Sequence, residues 1–171
     1  KTITFDSTAN KVVISYRDMG NSSYGTAIVG TVSSTSISFG TPVVYNSAGT
    51  ENNSSTFDSN SNKVVIAYRD EGNSDYGTAI VGTVSGTGIS FGSEVVFESN
   101  SSDSLRTVFD ASNNTVVIGY TTGSKGYVIA GTVSGTDISF ATRLLFVNNG
   151  FNGWAIVYNS TEEKSVISYR N

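Results

Sequence analysis

Residues 57–70 read FDSNSNKVVIAYRD. The same pattern opens at Phe5 as FDSTANKVVISYRD, at Phe109 as FDASNNTVVIGYTT and at Tyr158 as YNSTEEKSVISYRN. The first three copies start 52 residues apart, and the fourth follows after 49. Self-similarity at such a period is the mark of a repeat architecture. The run KVVISYR has strand composition, with Val12, Ile14 and Tyr16 on one face and Val13, Ser15 and Arg17 on the other.

The rest of the unit recurs too. YGTAIVGTVSSTSISFGTPVVY starts at Tyr24, YGTAIVGTVSGTGISFGSEVVF at Tyr76 and YVIAGTVSGTDISFATRLLF at Tyr127. Each unit therefore reads as four strands. A short first strand ends at the Phe-Asp pair, and a polar turn leads into the second. A loop such as DEGNSDYG precedes the third strand, TAIVGTV. A Ser-Gly-Thr turn in the second and third copies, where Gly supplies positive φ, leads to the fourth. The Gly inside ISFGSEVVF reads as a bulge in that fourth strand. Residues 1–52, 53–104 and 105–153 form three repeats, and 154–171 the first two strands of a fourth. Ser15, Ala67, Gly119 and Ser168 hold one recurring position, always small between large apolar neighbours, as closely packed sheets require.

Four antiparallel strands in about 50 residues match the blade of a β-propeller, so the expectation is an all-β, propeller-like chain. Three units and a half fall short of the 4–8 blades such rings contain. Either the sequence is an excerpt, or chains assemble into a ring or a filament. It starts at Lys1, with no initiator Met, signal peptide or apolar run of membrane-spanning length.

Composition excludes several classes. The 171 residues contain no Cys and no His, so thiol nucleophiles, Cys/His zinc sites and His-based triads are absent. The net charge of −4 comes without a basic patch, which argues against nucleic acid as a partner and against membrane insertion. No cofactor or metal is expected.

The runs NKVVIAYRD (62–70), NSDYGTAIVGTVSGTGISFG (73–92) and SEVVFES (93–99) resemble a repeat common in surface and tail-fibre-like proteins of marine bacteria and their phages. The resemblance spans nearly the whole chain. It implies a propeller-like protein outside the cell, on a cell surface or on a virion, used in attachment, and it carries no catalytic residues.

The strongest candidate site is the loop after the second strand. It holds Tyr16, Arg17, Asp18, Asn21 and Tyr24 in the first copy, and Tyr68, Arg69, Asp70, Asn73 and Tyr76 in the second. Arg and Asp groups beside an aromatic ring suit a sugar, whose hydroxyls take planar hydrogen bonds and whose C–H face packs on the ring. The competing reading is an Arg–Asp pair and an Asx turn that only shape the loop. In the third copy TTGSKGY replaces this loop, so a site built on it is absent or altered there. Trp154, the only Trp, is either a sugar platform or a packing residue. Asp6, Asp58 and Asp110 read as turn carboxylates rather than catalytic groups. Asn21, Asn52, Asn53, Asn100, Asn113 and Asn159 lie in glycosylation sequons.

Two functions are expected in this order. The first is a non-enzymatic, lectin-like protein that binds glycans or cell surfaces through its loops. The second is a fibre or surface-layer component built by stacking repeats. An enzyme ranks third, and Glu162 and Glu163, its nearest acidic pair, read as an exposed turn.

Overall fold

The computed structural model describes residues 1–150 and 152–170. These form sixteen strands. Unit 1 contributes β1 (Thr2–Asp6), β2 (Lys11–Asp18), β3 (Tyr24–Ser33) and β4 (Ser36–Phe39). The long β5 (Val43–Asp58) leads into unit 2, which adds β6 (Lys63–Asp70), β7 (Tyr76–Ser85), β8 (Gly88–Phe91) and β9 (Val95–Ser101). Unit 3 holds β10 (Asp103–Asp110), β11 (Thr115–Thr122), β12 (Lys125–Ser134), β13 (Asp137–Phe140) and β14 (Leu144–Val147). The partial unit 4 is the hairpin β15 (Asn152–Asn159) and β16 (Lys164–Arg170). Every strand pairing is antiparallel, and none of the sheets closes on itself.

The four-strand reading needs one correction. The fourth strand is not a single bulged strand. It is two short strands that pair in turn with the two halves of the third, as β8 and β9 do with β7. The break falls at Gly40 and Gly92, and its cause is the neighbouring unit. A Cβ on Gly40 would overlap the Thr87 carbonyl oxygen at the hairpin tip of unit 2, and one on Gly92 would overlap that of Thr136 in unit 3. Glycine is present for close backbone approach. Unit 3 carries Ala141 at the equivalent position.

The units stack face to face. Val64, Ile66, Tyr68 and Ile80 of unit 2 pack on Val13, Ala27, Val29 and Tyr45 of unit 1. The other face of the same sheet packs Val65, Ala67, Ala79 and Val81 on Leu105, Val116, Ile118 and Tyr120 of unit 3. A sheet covered on both faces needs an apolar run rather than alternation, which explains KVVIAY. The recurring small position lies in these seams. Ser15 and Ala67 are fully buried, and the rim of the Trp154 ring lies against Gly119. Ser168 is exposed, since no unit covers it.

First strands of successive units run side by side. Thr2 Oγ1 lies 3.3 Å from Ser55 Oγ, and Ser54 Oγ lies 3.0 Å from Thr107 Oγ1 and accepts from the Thr107 amide at 3.0 Å. The turns into the second strands repeat as well. Asp6, Asp58 and Asp110 each accept backbone N–H groups of the turn, as does Asn159 in unit 4. Asn10, Asn62, Asn114 and Glu163 then take positive φ.

Candidate functional site

The loop after the second strand lies against the link between units, as a shared end of the molecule. The Thr50 amide donates to the Ser23 carbonyl, and the Ser102 amide to that of Asp75. Each link carries a bulge, with a register shift between Glu51 and Ser54, between Asp103 and Arg106, and between Asn152 and Trp154. The residue in the bulge takes positive φ each time: Asn52 at 53°, Ser104 at 52° and Gly153 at 60°.

At the first two seams this end is closed by an ionic latch. Arg17 of unit 1 reaches Glu51 on the link at 2.8 Å and Glu71 on the loop of unit 2 at 2.7 Å. Arg69 of unit 2 reaches Asp103 at 2.6 Å, Glu51 at 2.6 Å and Asp75 at 3.5 Å. Burial alone would lower the basicity of the Arg69 guanidinium, but the hydrogen bond and charge of Asp103, with Glu51 and Asp75, raise it instead.

The loop residues therefore divide. Arg17 and Arg69 are committed to carboxylates of the link and of neighbouring loops. Asp18 accepts the Gly20 amide at 3.1 Å, and Asp70 accepts the Gly72 amide at 3.0 Å and caps the short 3-10 turn Glu71–Asn73. Tyr68 is fully buried, its ring 5.2 Å from that of Tyr45, so it presents no surface to a ligand. Tyr16, Tyr24 and Tyr76 are half-buried, while Asn21 and Asn73 are exposed. The structure thus brings the arginines into a latch between units and does not gather the tyrosines around them. In unit 3 the loop is cut to the two-residue turn Gly123–Ser124 between Thr122 and Lys125, with Gly123 at φ 58°.

Two of the other candidates take definite places. Trp154 is half-buried at the third seam, beside Phe146 at 5.8 Å and with the Arg106 guanidinium 5.9 Å from its ring centroid. Asn53 is buried and donates to the Tyr45 hydroxyl at 2.9 Å. Asn21, Asn52, Asn100, Asn113 and Asn159 are exposed.

One polar cluster escaped the sequence reading. Glu98 is buried between Tyr120, whose hydroxyl donates to it at 3.0 Å, and Arg143, whose guanidinium also stacks 4.4 Å from the Tyr127 ring centroid. In the preceding seam Asn46 donates to Tyr68 at 3.4 Å in the same place, with Glu94 on the far side. Aligning the units shows the paired exchange, Asn46 for Glu98 and Glu94 for Arg143. That exchange was the available signal. Among the described residues no three acidic side chains converge to hold a metal ion. No helix of the described residues is long and apolar enough to cross a membrane.

No family model matches the chain, and no curated protein matches it significantly.

Proposed function

We propose that the chain is a non-catalytic scaffold acting outside the cell, whose propeller-type blades stack seam on seam and whose end faces bind further copies of the same chain. One observation carries the reading. The outward face of unit 1 is built from the residues that unit 2 buries. Phe5, Val32, Ile37 and Phe39 are exposed there at 52, 52, 44 and 51%. Their equivalents Phe57, Val84, Ile89 and Phe91 pack into the seam between units 1 and 2.

This face is a half-seam, and its fitting partner is the opposite face of another unit. The far end of the chain offers one, where Val157 and Val166 lie exposed at 57 and 47%. Val166 stands where Val13 and Val65 are fully buried in the internal seams. The two ends are different surfaces, so the contact is head-to-tail, and it closes into a ring or runs on as a filament. An apolar cavity of about 230 Å³, lined by Lys1, Thr2, Ile3 and Ile14, sits at the edge of the open face. The latch at the shared end supports the same reading, because it spends the loop arginines on joining units. An extracellular setting rests on the resemblance of the repeat to surface and fibre proteins.

Electron microscopy of the purified chain tests the proposal. Rings or filaments containing several chains are expected. Particles of single-chain size at every concentration would overturn it.

A further inference from the structure

We infer that the mouth of the third seam, between units 3 and 4, binds a neutral carbohydrate, seating one pyranose ring beside Trp154. A cavity of about 200 Å³ opens there, lined by Ser104, Thr121, Ser124 and Trp154 and by the backbone of Gly123 and Gly153. The equivalent place in the first seam is a cavity of about 250 Å³, but there the latch residues Arg17 and Glu51 line it. Thr121 stands where units 1 and 2 have Arg17 and Arg69, and the sequence has Asn152 where they have Glu51 and Asp103. Both charges of the pair are replaced together, so neither is left without its partner. The loop that overhangs the earlier seams is reduced to a two-residue turn. The seam mouth is thereby left without the charged pair that lines the first one.

The lining selects the ligand class. No charged side chain lines the cavity; Arg106, 5.9 Å from the Trp154 ring centroid, donates to the Leu105 carbonyl and is not part of the lining. Three hydroxyls, from Ser104, Thr121 and Ser124, face a space that a purely apolar ligand would leave unpaired at a cost. Thr121 Oγ1 donates to the Asp103 carbonyl at 3.2 Å, which leaves its oxygen to accept. Trp154 adds an aromatic wall for C–H groups. Its position is set by Gly119, where any Cβ would collide with the ring, and by Phe146 at 5.8 Å. A wall fixed before binding reduces the ordering cost. A pyranose combines hydroxyls with a C–H face on one compact ring.

The pocket is formed within one chain, so its test is independent of assembly. Trp154 is the sole Trp, and its fluorescence reports this pocket alone. The full chain is titrated with methyl glycosides of glucose, galactose, mannose and N-acetylglucosamine. At least one is expected to give a saturable change in emission with a Kd of roughly millimolar order. In Thr121→Arg, which restores the side chain that the sister units carry, affinity is expected to fall at least about tenfold with the circular dichroism spectrum unchanged. Ser124→Ala is expected to weaken binding several-fold through loss of one hydroxyl. No saturable response to any glycoside would overturn the inference. So would unchanged affinity in Thr121→Arg, or equal binding of glucuronate, which carries a charge the lining cannot pair.

Discussion

Arg69 sits a fifth exposed with carboxylates on three sides, on its own loop, on the link before it and on the link after it. The partners Glu51 and Asp103 are 41 and 50% exposed, so each pair alone is worth little in water. Joined through one planar guanidinium, they act as a tie between units 2 and 3. Arg69→Ala is expected to lower stability by about 1 kcal/mol at low salt, and by less as salt screens the exposed acids. Urea titrations at two ionic strengths measure this, and an effect that grows with salt would contradict it. The buried tyrosines give a second test. Burial pushes the Tyr45 hydroxyl up to about 12 and also raises those of Tyr68 and Tyr120. An unfolded phenol ionises near pH 10. Above that pH the unfolded state loses protons that the folded state keeps, so stability falls as pH rises toward about 12. Tyrosinate absorbance is expected to arrive in two parts, exposed rings first and these three only with loss of the fold. Simultaneous titration of all nine tyrosines with the fold intact would refute the burial described.

Among the elements, the split fourth strand shows most about what holds the units in order. Gly40 and Gly92 admit the carbonyl of the next unit's hairpin tip, so the break in one sheet is made by its neighbour. Gly92→Ala is expected to cost about 1–3 kcal/mol, because the neighbour is backbone and cannot turn aside. A shift of the denaturation midpoint at constant m-value checks this, and an unchanged midpoint would remove the contact from the account. The strands themselves were legible, since KVVISYR, TAIVGTV and the Phe-Asp turns repeat with little variation. The small residues at Ser15, Ala67 and Gly119 also announced a close seam. The reason for Gly40 and Gly92 was hidden, because a lone glycine looks the same whether it makes a bulge or receives a neighbour. The loop arginines misled for a related reason. Arg17 and Asp18 are adjacent in sequence and suggest a pair or a pocket, but Arg17 finds its acids 34 and 54 residues away. Of the sugar-site residues, Trp154 lies at a cavity free of charged lining, while Arg17 lines one with Glu51, and Asp70 and Asn73 line another with Glu94.

For the whole molecule, each unit is a sheet with two apolar faces, and stability comes from covering both. Unit 2 achieves this within the chain, while unit 1 and the half-unit at the far end each show one uncovered face. Repeat proteins gain stability from neighbour interfaces, so an uncovered face of this composition favours a further unit, which on the proposed reading comes from a second copy. Sedimentation equilibrium over a range of protein concentrations, with the wild-type chain beside Phe39→Glu, measures that tendency directly. The expected result is a wild-type mass that climbs above that of one chain as concentration rises, with Phe39→Glu held at one chain and an unchanged circular dichroism spectrum. A wild-type chain that stays at single-chain mass throughout, or a Phe39→Glu chain that associates as strongly, would contradict the claim that the open face is half of a seam.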